Sequence, residues 1–285
     1  MNAPPSQNLL AIDVGSSRIK LGWFPDAAAC ISDKPASNLP IAAAMLPAPD
    51  ELFQVQHKDR PPAVWLAEIE RWLADLAPSE DAQCLVASVH AGAANTLAGC
   101  LQNHNWSHLK TLTAADLPLV VRVPEPHRVG IDRLLSAVAA NRLRQSGSPA
   151  ITVDMGTAIT VDFIAADGAF EGGAILAGPA LSLAALHAGT ASLPLIDAAT
   201  LATPGSPIGK STTEAMSAGA YWGPIGAIRE LIACIADRCE RPPEVFVTGG
   251  GSHATLARAL DSTARPVRHV PHLLLAGIQL AADCQ

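Results

Sequence analysis

Charge is scarce in this sequence. Asp, Glu, Lys and Arg make up 16% of its 285 residues against 49% hydrophobic residues, too little charge for a disordered chain and ample apolar material for a buried core. Lys and Arg are scattered and the formal net charge is −7, so there is no basic stripe on which a nucleic-acid backbone would settle. A secretory signal is also missing, because residues 1–8 are polar and Pro-rich and the apolar run 9–12 is short. The most apolar longer stretch, 173–189, is broken by Gly178, Pro179, Ser182 and His187 and falls short of the ~20 apolar residues of a membrane span. Six cysteines, Cys30, Cys84, Cys100, Cys234, Cys239 and Cys284, form no CxxC pair and have no companion His at ligand spacing, which argues against a zinc site or a redox motif. The expectation is a cytoplasmic protein with buried, reduced thiols, no nucleic-acid partner and no membrane partner.

The length exceeds what one core usually supports and predicts two domains. A pattern occurring twice says how they are built. The apolar run 9–12 leads into Asp13-Val14-Gly15-Ser16-Ser17, after which Ile19, Leu21 and Trp23 alternate with polar or small residues. About 140 residues on, 151–153 leads into Asp154-Met155-Gly156-Thr157, and Ile159, Val161 and Phe163 alternate in the same way. Each reads as strand, Gly turn, strand, and the repetition implies one related β-hairpin per domain. Asp167-Gly168 predicts a further tight turn into a third strand through Ile175.

Helices are expected between these strands. Trp65, Leu66, Ile69, Trp72, Leu73 and Leu76 share one helical face over 64–76, with Pro61 and Pro62 at its first turn. A second helix is predicted over 131–144, ending near Gly147 and Pro149. Ser211-Thr212-Thr213-Glu214 reads as a capping box opening a long helix toward Cys239, with Gly219 and Pro224 as candidate kinks. A short buried strand at 245–247 leads into Thr248-Gly249-Gly250-Gly251, and a last helix starts near His272. The Pro-rich stretch 124–129 marks the expected boundary, giving domains 1–127 and 128–285.

An acidic protein that binds a polyanion must supply local positive potential from backbone N–H groups, a Lys or Arg, or a cation. A Gly after a strand lets backbone approach a phosphate, and 13–17 adds two hydroxyls and a carboxylate able to hold Mg²⁺ directly or through water. It is not a Walker loop, since no GxxxxGK[ST] occurs. Alone, an Asp-Xaa-Gly at a strand end is more often an ordinary turn. Val129-Gly130-Ile131-Asp132-Arg133 places a carboxylate and a guanidinium at a helix start, which reads either as a solvated helix cap or as a site for a small anionic substrate whose hydroxyl faces the Asp. The histidines His90, His104, His108 and His127 read as exposed loop positions.

Taken in order, the loops at Asp13, Asp154 and Thr248 resemble the two phosphate loops and the adenosine loop of the actin, sugar kinase and Hsp70 superfamily. Gly130-Ile131-Asp132-Arg133, Asp154-Met155-Gly156-Thr157-Ala158, Gly172-Gly173-Ala174-Ile175-Leu176-Ala177-Gly178-Pro179, Thr190-Ala191-Ser192-Leu193-Pro194 and Ile208-Gly209-Lys210-Ser211-Thr212 together resemble the motif series of type III pantothenate kinases. The resemblance implies an α/β fold of two duplicated actin-like (ribonuclease H-like) domains, with mixed sheets flanked by helices and an ATP cleft between them. It implies phosphorylation of pantothenate by ATP with Mg²⁺, the first step of coenzyme A biosynthesis, in a homodimer. Asp132 would be the catalytic acceptor of the hydroxyl proton, with Gly130, Ile131, Arg133 and Thr190 on pantothenate. Asp13, Val14, Gly15, Ser16, Ser17, Arg18, Ile19, Lys20 and Thr157 would hold ATP, and Asp154 a monovalent cation, K⁺ or NH₄⁺. Asp132 need not have a raised pKa, and near a helix N-terminus and Arg133 it is expected to stay ionised. The chain departs from the family pattern at Ser16 and Ser17, where Asn and Thr are usual, and at Val123, where a Tyr is common. Two other readings stay open, a non-catalytic accessory protein on the same fold and a kinase for another small hydroxyacid.

Overall fold

The structure, a computed structural model, describes residues 8–25, 46–76, 78, 82–103, 106, 108–201, 205–250 and 267–282. Gly251 of the third loop, Cys30, Cys284 and His104 lie outside the described residues. The described residues form two compact units, one within Met1–Leu143 and His272–Gln285, the other within Arg144–Pro271. This corrects the division expected at 127/128. Helix α3 (Ile131–Leu143) packs against the last helix, α6 (Leu273–Ala282), so tightly that a Cβ at Gly277 would collide with the Leu135 carbonyl. Both helices lie on the first sheet, so the segment carrying Asp132 belongs with the first unit.

In the first unit, β1 (Leu9–Val14) pairs antiparallel with β2 (Arg18–Phe24), which pairs antiparallel with β3 (Glu51–Gln56). On its other edge β1 runs parallel to β4 (Gln83–Ser88), and β4 parallel to β5 (His108–Thr111), giving the order β3-β2-β1-β4-β5. Because side chains alternate along a strand, Leu10, Ile12, Val14, Ile19 and Leu21 point to one face, where Trp65, Ile69 and Leu73 of α1 (Pro62–Ala74) and Leu97 and Leu101 of α2 (Ala91–Asn103) cover them. Pro61 and Pro62 open α1, where a missing N–H costs nothing. Asp13 and Lys20 fall on the opposite face, the side of α3 and α6, on which Leu275 packs against Gly22.

The second unit repeats this plan. Strands β6 (Ala150–Met155), β7 (Ala158–Ile164) and β8 (Phe170–Ala177) form an antiparallel meander, and β9 (Glu244–Thr248) and β10 (Val267–His269) extend it in parallel, in the order β10-β9-β6-β7-β8. Gly168, at φ 93°, makes the turn between β7 and β8 that Asp167-Gly168 predicted. Helix α5 (Thr212–Ala236) runs without a break through Gly219 and Pro224 and lays Tyr221, Ile225, Ile228 and Ile232 on Ile151, Val153, Ile159, Val161 and Val247. Each such fully buried side chain is worth about 1.5–3 kcal/mol. Of the capping box, Ser211 Oγ accepts from the Glu214 N–H at 3.2 Å, while the Glu214 carboxylate accepts from the Lys210 N–H at 2.7 Å instead of the cap's own amide. Helix α4 (Pro179–Ala188) buries Leu183 against Met216 and Ala220 of α5.

No described helix is long and apolar enough to cross a membrane. Cys84, Cys100, Cys234 and Cys239 are free thiols; the first two are buried, as expected, but Cys234 is exposed on α5.

Candidate active site

The first loop closes where β1 ends and β2 begins, with the Gly15 N–H donating to the Arg18 carbonyl at 3.0 Å. The second loop repeats that bond, from the Gly156 N–H to the Ala158 carbonyl at 3.0 Å. In both units the loop sits at the carboxyl end of the central strand, beside a parallel neighbour, the position at which open α/β sheets bind ligands. Ser16 and Arg18 are exposed, and Gly15, Ser17 and Lys20 partly so, while Val14 and Ile19 are buried in the core and support the loop from below.

Asp13 stands directly opposite Lys20 in the β1–β2 register, and their side chains meet at 3.3 Å. Its carboxylate is 5% exposed, and burial raises its pKa against the lowering effect of Lys20, with the charge of Asp132 adding to the rise. Asp132 lies in the first turn of α3, whose Gly130 carbonyl accepts from the Arg133 N–H at 3.1 Å. The Asp132 carboxylate accepts from that same Arg133 N–H at 2.9 Å and fills the space a Cβ at Gly130 would need. A side chain at Gly130 would displace the carboxylate it faces, and Val89, after β4, packs beside it. Burial raises the Asp132 pKa, outweighing its backbone hydrogen bonds and the charges of Arg133 and Lys20. The helix end and Arg133 do favour the ionised form, but desolvation is the larger effect. The first unit thus brings Asp13, Lys20 and Asp132 into one electrostatic cluster, two carboxylates served by one ammonium.

In the second unit Asp154 is the penultimate residue of β6 and Thr157 follows Gly156 in the turn to β7. The Thr157 carbonyl accepts from the Gly178 N–H at 3.0 Å, and Gly178 has no room for a Cβ against the carbonyls of Gly156 and Thr157. Gly249, at φ 102°, follows β9 and sits so close to the Asp154 carboxylate and the Met155 backbone that a side chain there would overlap both. Asp154, Thr157, Gly178 and Gly249 therefore gather at one end of this sheet. Thr190 follows α4, exposed, its hydroxyl donating to the Leu186 carbonyl at 2.7 Å. Among the described residues no group of three or more His, Cys, Asp or Glu side chains could hold a metal ion.

One residue of the loop's surroundings carries no mark in the sequence. His57 is 7% exposed, and its Nε2 lies 2.9 Å from the Gly15 carbonyl, 42 residues away along the chain. Only the β2–β3 pairing brings them together, so no local motif could have indicated it.

The family model for type III pantothenate kinase matches residues 9–234 of this chain. A type III pantothenate kinase of Phenylobacterium zucineum is 37% identical over 191 residues, 66% of this chain and 71% of that protein. One from Dinoroseobacter shibae is 42% identical over 134 residues, 47% of this chain and half of that protein's length. Among solved structures, the activator of the 2-hydroxyisocaproyl-CoA dehydratase from Clostridium difficile with bound ADPNP superposes with a TM-score of 0.51 at 12% identity, covering 97% of this chain and 93% of that one, which is a likeness of fold. Two mixed five-stranded sheets of matching order, each with its Gly loop at the same strand end, are the actin-like architecture. With the family model matched along residues 9–234, the chain belongs to the type III pantothenate kinase family.

Proposed function

We propose that this protein transfers the γ-phosphoryl group of ATP to the primary hydroxyl of pantothenate, giving 4′-phosphopantothenate and ADP, the first step of coenzyme A biosynthesis. The observation that carries the reading is the convergence of Asp13 and Asp132 on Lys20 in the first unit, which joins a phosphate-loop carboxylate to a carboxylate at a helix start. In this reading the hydroxyl oxygen attacks the γ-phosphorus, the bond to the bridging oxygen breaks, ADP leaves and the hydroxyl proton passes to Asp132. Phosphoryl transfer has a loose transition state, so Asp132 acts first by orienting the hydroxyl, and its raised pKa makes it a better proton acceptor than an exposed Asp. Within the first unit Gly130, Ile131 and Arg133 line the pantothenate site, where the guanidinium suits the substrate carboxylate.

Within the first unit the backbone and hydroxyls of 13–20 and the Lys20 ammonium hold the ATP phosphates. Asp13 fits a Mg²⁺ carried on those phosphates, since such an ion keeps waters and phosphate oxygens as ligands and needs only one or two carboxylates. Its positive charge would offset that of the phosphates and of the two carboxylates. Asp154, with backbone crowded against it at Gly249, fits a monovalent cation, K⁺ or NH₄⁺. The protein works as a homodimer in the cytoplasm.

The test is ADP release from purified protein. Release that requires pantothenate, Mg²⁺ and K⁺ or NH₄⁺ together is the expected result. No release, with neither substrate bound, would remove the proposal. Binding without release would identify a non-catalytic accessory protein, and release only with a different hydroxyacid would change the substrate.

A further inference from the structure

The first phosphate loop is fastened from behind by the turn that follows β3. The Gly15 carbonyl receives His57 Nε2 at 2.9 Å, and the Ser17 carbonyl receives the backbone N–H groups of His57 and Lys58 at 3.1 and 3.3 Å. A carbonyl oxygen only accepts, so Nε2 of His57 carries the proton. The ring is buried, edge-on to Trp65 at 6.3 Å and to His90 at 5.0 Å. His90 is itself fixed, its Nδ1 accepting from the Ala93 N–H at the start of α2 and its own N–H donating to Ser88 Oγ. The turn is anchored in the same manner, with the Arg60 N–H on the His57 carbonyl at 3.3 Å and the Arg60 guanidinium paired with Glu68 of α1.

We propose that His57 is a positioning residue for nucleotide binding, holding the Gly15–Ser16 peptide so that its N–H faces the phosphates of ATP. Every peptide bond described is trans, and in a trans peptide the C=O of one residue and the N–H of the next point opposite ways. With the Gly15 carbonyl drawn back onto the buried imidazole, the Ser16 N–H is turned outward, and Ser16 is exposed. A flipped peptide would present an acceptor oxygen to a polyanion, which repels it. The bond to His57 removes that alternative before the nucleotide arrives, so less of the binding free energy goes into ordering the loop. Gly15 cannot resist a flip by itself, since it carries no side chain. Ser16 and Ser17 offer no side-chain amide to hold the loop, so the restraint comes from outside it.

The inference rests on the nucleotide reading of this loop, and the experiment separates the two. Asn and Gln place the same amide at the reach of Nδ1 and of Nε2 respectively, so His57→Gln can still donate to Gly15 while His57→Asn cannot. ATP dissociation constants are measured by calorimetric titration of the full chain with Mg·ATP, alongside KM and kcat for both substrates. His57→Asn is expected to weaken ATP binding about tenfold, as for one lost buried hydrogen bond. His57→Gln should stay within about threefold of the native protein, and kcat and the KM for pantothenate should hold in both variants. Equal ATP affinity in His57→Asn and the native protein overturns the proposal. So does equal loss in both variants, or a parallel rise in KM for pantothenate, either of which marks His57 as a general structural residue. If the native protein fails to bind ATP, the nucleotide reading falls and this inference with it; native binding with indifferent variants sinks the inference alone.

Discussion

Asp132 combines two demands that oppose each other. Its carboxylate is desolvated, which disfavours the charge, yet the proposed reaction uses that charge to orient a hydroxyl. A carboxyl whose folded pKa lies above its ordinary value of 3.8 binds protons more tightly in the folded state, so stability is full below that value and is lost as pH rises through the folded pKa. Asp13 has the same sign for the same first cause. Replacing Asp132 by Asn keeps an oxygen for the Arg133 N–H and removes the buried charge. Its melting temperature at neutral pH is expected to match or exceed that of the native protein, with a flatter pH dependence, while kcat falls by about 10²–10⁴. Melts across pH together with ADP-release rates check this, and a marked loss of stability with activity retained would contradict it. The motif around Asp132 was legible in the sequence, but its pKa was not. Burial there depends on α3 lying over β4 with Val89 alongside, which is a matter of packing.

Among the elements, the contact of α3 with α6 sets where the Asp132 turn sits. Gly277 allows the two helices to touch, because any Cβ there meets the Leu135 carbonyl. Gly277→Ala, which favours the helix by propensity, should nevertheless destabilise the protein by about 1–3 kcal/mol as the helices part. Urea unfolding measures that cost, and an increase in stability would show the crossing to be looser than described. The two hairpins, α1, α3 and α5 could all be read from the sequence, because alternation and helical spacing there are strong and Pro, Gly or Ser mark the ends. Helix α2 offers only Ala93, Leu97, Cys100 and Leu101 as buried apolar positions among Ala, Gly and Asn, a pattern too faint to read. The domain boundary is not legible locally, because the Pro-rich stretch 124–129 reads as a linker, whereas the partner that decides the matter, α6, lies more than a hundred residues further on.

For the whole molecule, a net charge of −7 opposes the approach of a polyanion, and cations carried with the polyanion offset that repulsion. A ligand that binds only the folded state at a hundred times its dissociation constant adds about 2.7 kcal/mol of stability. Mg·ATP should therefore raise the melting temperature by several degrees, and ATP with excess chelator should raise it much less. Equal shifts with and without Mg²⁺ would argue against an ion carried between Asp13 and the phosphates.

The return of α6 to the first sheet has a consequence for biogenesis. The stretch Arg144–Pro271 is uninterrupted, whereas the first unit waits for α6 until the whole of that stretch has been synthesised. As the nascent chain emerges, the unit encoded later is the one able to complete its core earlier, and the exposed underside of the β1–β4 sheet is the surface a chaperone would meet in the interval.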